Sequence, residues 1–172
     1  MTPWLTVVGI GEDGLQGLGL RARRLVEGAE VLVGGARHLA KIPPGRAERV
    51  RWEAPLTATI ARLQRLRGRR VTVLASGDPL HYGVAARLAR HFGAGEMTVV
   101  PAPGAFSLAA ARMGWPIADT ELVTVHGRPI ENVLLRLFPG ARLLILSRDG
   151  ETPSRLAELL VQHGYGASAM TV

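Results

Sequence analysis

Cysteine is absent from this sequence of 172 residues. Its absence excludes disulfide bonds, cysteine-ligated metal sites and thiol nucleophiles, and no metal site is predicted. Aromatic residues make up only 5% of the chain, against 47% hydrophobic residues in all, so an aliphatic core is expected. No apolar run approaches the ~18 residues of a membrane span. Because residues 1–10 also lack the features of a signal peptide, we expect a cytoplasmic protein with no membrane partner.

Lysine is nearly absent as well, since Lys41 is the only one among 21 basic residues and the others are arginines. With 14 acidic residues, the formal net charge is +7. Guanidinium groups bind carboxylates and phosphates through paired hydrogen bonds, so this composition indicates a polyanionic ligand. Nucleic acid is the alternative, but the arginines are spread along the chain and are not interleaved with aromatic residues. We therefore expect no nucleic-acid partner.

Predicted strands and helices alternate along the chain, which is typical of parallel βαβ units. The sequence patterns predict strands at 5–10, 30–33, 50–52, 71–75 and 97–100, and helices at 19–27, 36–41, 56–66, 84–91 and 105–113. The Gly114-Trp115-Pro116 segment interrupts this alternation. We therefore place a first α/β domain at 1–113, a linker at 114–120 and a second α/β domain at 121–172.

The alternation restarts in the second domain. It predicts strands at 121–125 and 142–146, helices at 130–138 and 153–162, and a third strand that begins at Ala167. The predicted fold is therefore α/β, with two α/β domains and a parallel sheet in the first. Because the third strand runs to the last residue, the second domain is expected to be truncated.

The first motif, Gly9-Ile10-Gly11-Glu12-Asp13-Gly14, follows the first predicted strand. This spacing is that of a dinucleotide-binding turn. Such a site also needs an acidic residue at the end of the second strand, where this chain has Gly34-Gly35. Two acidic side chains within the motif would also repel a pyrophosphate. A tight glycine turn is therefore a simpler interpretation than NAD binding.

The second motif, Ser76–Gly83, follows the apolar strand predicted at 71–75. Ligands of parallel sheets bind beyond the carboxyl ends of the strands, which is where this loop is expected. Its glycines allow close approach of the backbone, Pro79 stiffens the turn, and Asp78 and Tyr82 supply polar groups. We predict that it is a functional loop.

Two further motifs lie at strand ends. In Pro101–Ser107, Ser107 lies in the first turn of a helix, where a hydroxyl and free amides can hold a polar ligand or simply cap the helix. Thr124–Pro129 contains His126 and Arg128 and follows the first strand of the second domain. His126 is equally compatible with a functional role and with an ordinary polar residue.

In their order and residues, these four motifs resemble the tetrapyrrole methylase family, whose members methylate carbons of corrin-forming macrocycles with S-adenosylmethionine. The loop at 76–83 has the family's Ser-Gly-Asp-Pro-x-x-Tyr-Gly pattern in full, whereas Phe106 stands where the family often has a serine. The resemblance covers the whole chain. The segment 99–129, which includes His126-Gly127-Arg128-Pro129, is most similar to the branch that methylates C5 of a precorrin in cobalamin biosynthesis.

This resemblance implies a methyltransferase that uses S-adenosylmethionine as cofactor and methylates C5 of precorrin-6B. It also implies a longer enzyme whose following domain methylates C15 and decarboxylates. Because a truncated second domain would leave a strand edge exposed, we also expect a homo-oligomer. One alternative is an enzyme of the same fold acting on another tetrapyrrole or on a protein. The other is a non-enzymatic module that binds a nucleotide or nucleic acid.

The resemblance also implies roles for individual residues. The expected cofactor contacts are Gly77, Asp78, His81, Tyr82, Phe106, Ser107 and Leu146. The macrocycle carries many carboxylates, and its expected contacts are Gly9, Gly11, Arg37, Arg112, His126 and Arg128. The conjugated macrocycle supplies the electrons, so alignment of the reactants is the protein's main task. Glu12 and Asp13 are the candidate catalytic residues, as carboxylates that accept a proton or stabilise a developing cation.

Overall fold

The computed structural model of the protein describes residues 3–53, 55–93 and 95–172. The chain divides into two compact units, Met1–Gly104 and Ala105–Val172. Within the described residues, no helix is both long enough and apolar enough to span a membrane.

The first unit contains a parallel sheet of five strands. They are β1 (Leu5–Ile10), β2 (Val31–Gly34), β3 (Glu48–Arg51), β4 (Val71–Ser76) and β5 (Met97–Val100). Their order is β3-β2-β4-β1-β5. In the register, Gly9 of β1 lies beside Ala75 of β4, and Val8 lies beside Val100 of β5. The carboxyl ends of these three strands therefore lie at one edge of the sheet, and the predicted parallel α/β fold is confirmed.

Helices cover both faces of this sheet. They are α1 (Leu20–Glu27), α2 (Ala36–Ala40), α3 (Leu56–Arg65) and α4 (Val84–Leu88), with a 3₁₀ turn at Gly14–Gly17. Side chains alternate across a strand, so Val7 packs with Leu63 of α3 on one face, whereas Val8 packs with Val26 of α1 on the other. Burial on both faces explains why β1, β2 and β4 are almost continuously apolar, whereas the edge strand β3 buries only Val50.

The second unit has a parallel pair of strands, β6 (Glu121–Thr124) and β7 (Leu143–Leu146), with helices α5 (Ala105–Met113) and α6 (Thr152–Gln162). Its core includes Val123, Val125, Val133 and Leu156. Short 3₁₀ segments lie at Ile117–Asp119 and Ile130–Arg136. Helix α6 starts at Thr152, whose backbone N–H donates to Asp149 Oδ1 at 3.0 Å. Asp149 thereby satisfies a donor that the helix itself leaves unpaired.

The two compact units divide at Gly104, because α5 packs beside β7 within the second unit. The domain bounds of 1–113 and 121–172 stay predictions. Two predicted elements of the second unit differ from the structure. The helix predicted at 130–138 is a 3₁₀ segment at Ile130–Arg136, in which Val133 is buried and the half-buried Ile130 packs against the same core. The strand predicted from Ala167 is not formed. A strand needs a neighbour for its hydrogen bonds, and in the part of the chain described none pairs with these residues.

Candidate active site

Three loops of the first unit meet beyond the carboxyl ends of β1, β4 and β5. The backbone N–H of Gly77 donates to the carbonyl of Ile10 at 3.4 Å, and the Gly77 carbonyl accepts the N–H of Ala102 at 3.1 Å. Gly77 therefore connects the loop after β1 to the loop after β5. The structure thus brings together three of the four motifs in which the sequence predicted a site.

Two glycines are required for this close approach of the backbones. A Cβ on Gly9 would lie 2.6 Å from the amide nitrogen of Ala102 and would overlap the carbonyl of Gly77. Gly77 has a φ of +52°, and a Cβ there would lie 2.7 Å from Cα of Gly104. Packing between loops therefore explains these glycines without a dinucleotide. The predicted substrate contacts of Gly9 and Gly11 stay predictions.

The loop after β4 is folded around Asp78. One carboxylate oxygen, Oδ1, accepts the N–H of Leu80 at 2.9 Å, and the Asp78 carbonyl accepts the N–H of His81 at 3.2 Å. Pro79 closes the turn, because its carbonyl accepts the N–H of Ala85 at 2.9 Å. The other carboxylate oxygen, Oδ2, takes no hydrogen bond among the residues described. Asp78 thus holds its own turn with one oxygen and can accept a ligand donor with the other.

His81 and Tyr82 form a stacked pair of rings on this loop. Their centroids lie 4.9 Å apart with an angle of 28° between the planes. Tyr82 has a φ of +57°, a left-handed conformation that is unfavourable for a tyrosine, and its side chain is exposed. Such strain is concentrated at functional sites. The pair therefore presents a flat aromatic surface on the loop that was predicted to bind the cofactor.

Glu12, on the loop after β1, holds two cations. Its carboxylate lies 2.9 Å from Nζ of Lys41 and 3.3 Å from the guanidinium of Arg37. Lys41 also donates to the Gly11 carbonyl at 2.8 Å. The hydrogen bond from Lys41 and the charge of Arg37 lower the pKa of Glu12, so it is ionised at neutral pH and is a weak base. Its predicted catalytic role stays a prediction.

Asp13 faces its own 3₁₀ turn. A Cβ on Gly17 would lie 2.5 Å from Cγ of the Asp13 carboxylate, so the carboxylate lies directly against the backbone of that residue. A Cβ at position 17 would therefore require the Asp13 side chain to move. The catalytic role of Asp13 stays a prediction.

The sequence reasoning missed a contact between His38 and Ser76. Nε2 of His38, in α2, lies 2.8 Å from Oγ of Ser76, at the end of β4. Nδ1 of His38 is buried and has no hydrogen-bond partner among the described residues. A buried N–H without an acceptor is costly, so the favoured tautomer carries its proton on Nε2 and donates it to Ser76. The Ser76 hydroxyl then keeps its own proton to donate to a ligand.

Burial and the positive charges of Arg37 and Lys41 lower the pKa of His38, with Glu12 opposing them. His38 is therefore neutral at neutral pH. The sequence did contain signals for His38 and Lys41, because His38 follows the glycine end of β2 and Lys41 is the only lysine of the chain. Both stand after a strand end, where ligands of parallel sheets bind.

In the second unit, the predicted site residues lie in two places. On α5, Phe106 is buried, whereas Ser107 in the first turn and Arg112 in the last are exposed. At the strand ends, the N–H of Val125 donates to the carbonyl of Leu146 at 3.0 Å, so the two carboxyl ends lie side by side. The predicted roles of these side chains stay predictions.

His126 and Arg128 follow β6 on this edge. The backbone N–H of His126 donates to Oγ1 of Thr124 at 3.2 Å, and the His126 side chain is exposed. Arg128 lines a cavity of about 100 Å³ together with Arg148 and Arg155. The sequence reasoning singled out Arg128 but missed the other two, which come from the segment after β7 and from α6.

Comparison with known proteins decides the family. The sequence profile of the tetrapyrrole (corrin/porphyrin) methylases matches residues 4–172. The chain belongs to the tetrapyrrole methylase family. The chain is 49% identical over 175 aligned positions to a precorrin-6Y C(5,15)-methyltransferase [decarboxylating] of Sinorhizobium sp, with all of this chain and 42% of that protein aligned. It therefore spans about two fifths of that relative's length.

A shorter relative of this tetrapyrrole methylase is a cobalt-precorrin-7 C(5)-methyltransferase of Salmonella typhimurium. It is 33% identical over 168 residues, which cover 98% of this chain and 83% of the relative. Among solved structures, a uroporphyrin-III C-methyltransferase of Thermus thermophilus complexed with S-adenyl homocysteine gives a TM-score of 0.63 at 26% identity. That match covers 93% of this chain and 72% of the other. The NAD-binding and non-enzymatic alternatives are not favoured by these matches.

Proposed function

We propose that this tetrapyrrole methylase transfers a methyl group from S-adenosylmethionine to C5 of a precorrin in cobalamin biosynthesis. The observation that carries the proposal is the junction at Gly77, where three loops join at one edge of a parallel sheet. The names of the Sinorhizobium and Salmonella relatives support C5 as the methylated position. The solved complex with S-adenyl homocysteine supports the cofactor.

The chemistry of the loop after β4 fits S-adenosylmethionine. Oδ2 of Asp78 is an acceptor, and the cofactor offers ribose hydroxyls and an ammonium group as donors. The exposed ring of Tyr82, stacked on His81, can pack against the apolar parts of the cofactor. When bound, S-adenosylmethionine would supply a methyl group as an electrophile. Gly77, Asp78, His81 and Tyr82 would hold it, and Phe106, Ser107 and Leu146 are the further contacts that the family resemblance implies.

The group around Ser76 fits an anionic substrate. Arg37 and Lys41 are cations beyond the end of β2, and Ser76 keeps a hydroxyl proton to donate. Carboxylates of a precorrin would accept from such donors. Glu12 holds the two cations in place through its ion pairs when no substrate carboxylate is near. We infer that Arg37 and Ser76 orient the macrocycle, with Arg112, His126 and Arg128 as the contacts inferred for the second unit.

The chain's part in the reaction is alignment and removal of a proton. Methylation of a conjugated carbon that bears hydrogen forms a new C–C bond and makes the existing C–H bond acidic. The proton of that C–H bond then leaves, and its electrons restore the conjugation. Glu12 is ionised and exposed, and each of its oxygens pairs with a cation, so it is a weak base. Such a base suits an acidic C–H bond of a cationic intermediate. Asp13 is the second candidate on the same loop.

Radioactive methyl transfer tests the proposal. The chain is incubated with methyl-labelled S-adenosylmethionine and, in parallel, with a precorrin lacking the C5 methyl group or with uroporphyrinogen III. The proposal predicts label in the precorrin alone. Label in uroporphyrinogen III alone would assign another tetrapyrrole as substrate, and label in neither, with S-adenosylhomocysteine still bound, would reject the proposed substrates. Asp119→Asn changes a carboxylate outside the site, so this control variant should transfer the label as the wild-type chain does.

A further inference from the structure

A hollow in the second unit is lined by three arginines that come from three different segments. We name the cavity of about 100 Å³ between Arg128, Arg148 and Arg155 the arginine hollow. Arg128 follows β6, Arg148 follows β7, and Arg155 lies in α6. Because β6 and β7 are parallel, their carboxyl ends share the edge where ligands of α/β sheets bind. The position is therefore that of a binding site.

The guanidinium groups of Arg148 and Arg155 retain donors for a ligand. Nε of Arg148 donates to Oδ2 of Asp149 at 2.9 Å, but its two terminal nitrogens have no acceptor among the residues described. The side chain of Arg155 likewise forms no ion pair or hydrogen bond within the described part of the chain. Glu131 also lines the hollow and Asp149 pairs with Arg148, which leaves three positive charges against two negative charges. The hollow therefore attracts anions.

The segment that carries Arg148 is held rigidly. Oγ1 of Thr152, a buried side chain, accepts the backbone N–H of Arg148 at 3.2 Å and donates to Oδ1 of Asp149 at 2.8 Å. The hydrogen bonds from Arg148 and Thr152 lower the pKa of Asp149 to about 2, so its pairing with Arg148 persists throughout the neutral range. Arg148 is thus oriented before a ligand arrives, which reduces the entropy lost on binding.

We propose that the arginine hollow binds one carboxylate side chain of the tetrapyrrole substrate. This proposal rests on the proposed function. A carboxymethyl or carboxyethyl group fits a cavity of about 100 Å³, whereas the ring itself does not. The carboxylate of S-adenosylmethionine is the other source of this chemistry. That molecule carries a net positive charge, so a site with excess positive charge disfavours it. The polyanionic macrocycle is favoured by the same charge.

Binding of uroporphyrin, a macrocycle with carboxylates on every pyrrole ring, tests this proposal. Its affinity is measured by fluorescence for the wild-type chain and for Arg148→Gln, Arg155→Gln and the control Arg136→Gln. Arg136 is an exposed arginine of the same unit, paired with Glu121 outside the hollow. We expect each hollow variant to weaken binding about ten- to hundredfold, the loss of one charged hydrogen bond, with Arg136→Gln unchanged. S-adenosylhomocysteine should bind all four proteins equally.

Three results would overturn the proposal. One is a wild-type chain that does not bind uroporphyrin, and another is equal weakening by the control, which would show a general charge effect. The third is weaker binding of S-adenosylhomocysteine in the hollow variants alone, which would assign the hollow to the cofactor's carboxylate. Failure of the proposed function looks different, because the wild-type chain would then fail to bind S-adenosylhomocysteine or to transfer a methyl group.

Discussion

Nε2 of His38 lies 2.8 Å from Oγ of Ser76, and this contact joins the end of β2 to the end of β4. The two residues are separated by 38 positions in the chain, so only the parallel sheet brings them together. The contact directs the hydroxyl proton of Ser76 away from the histidine. The edge of the sheet thereby gains a fixed donor close to the cations Arg37 and Lys41, whose charges act on His38.

Protonation of His38 should destabilise the first unit. Its pKa is below the ordinary 6.5, first because of burial and then because of Arg37 and Lys41, so the unfolded chain binds a proton more readily. The stabilisation that comes from neutral His38 is complete above pH 6.5 and is lost as pH falls from there towards the lowered pKa. When the pH is lowered from 7.5 to 5.5, we expect Tm to fall less in His38→Gln than in the wild type. An equal fall in both, with His91→Gln as the exposed control, would contradict this effect.

Asp78→Asn should weaken binding of S-adenosylhomocysteine without unfolding the chain. Asparagine keeps an oxygen for the N–H of Leu80, so the turn is retained, but the charge offered to the cofactor is lost. The expected loss is about 1.5–3 kcal/mol, that of a hydrogen bond to a charged group. Calorimetry measures the affinity, and Tm reports on the fold. Unchanged affinity would remove Asp78 from the cofactor site.

Gly77→Ala should destabilise the chain and weaken cofactor binding together. The new Cβ would lie 2.7 Å from Cα of Gly104, in a conformation with a φ of +52° that alanine adopts poorly. We expect a loss of about 1–3 kcal/mol in the free energy of unfolding, typical of strained backbone positions. Gly45→Ala is the matched control, because a Cβ there meets no atom within 4 Å. Denaturation in urea measures the free energy of unfolding of both variants. Equal values for the two variants would show that the loops are not tightly packed at Gly77.

Added salt should weaken binding of the macrocycle and leave cofactor binding nearly unchanged. Salt screens the attraction between exposed arginines and carboxylates, and the Debye length is about 10 Å at 0.1 M. Arg37 is exposed, so its contribution should be sensitive to salt. Titrations with uroporphyrin and with S-adenosylhomocysteine at low and high sodium chloride give the salt dependence of each affinity. An equal salt dependence for the two ligands would argue against binding of the macrocycle by arginines.

Local pattern was sufficient to predict most of the first unit. The strand at Leu5–Ile10 and the loop at Ser76–Gly83 were predicted because apolar runs followed by glycine are strong local signals. The second unit was predicted less well. The apolar residues of 130–138 suggested a helix, but packing buries only Val133 among the residues of the observed 3₁₀ segment. Apolar spacing alone does not reveal which residues find a neighbour.

The contacts that complete the candidate site could not be read from spacing. His38 and Ser76 meet because β2 and β4 are neighbours, and Arg148 and Arg155 share a hollow because α6 packs into the same core as β7. These pairings depend on strand order and helix packing. The glycines were noticed in the sequence, but the reason for them, contact between Gly77 and Gly104, is a property of the assembled loops.

The site of methylation tests the central claim most directly. The chain is supplied with ¹³C-methyl S-adenosylmethionine and a precorrin lacking the C5 methyl group, and the product is examined by ¹³C NMR. We predict a single labelled methyl group, attached to C5, formed by the wild-type chain and much more slowly by Asp78→Asn. A labelled methyl group at any other carbon, or equal rates for the two proteins, would contradict the account.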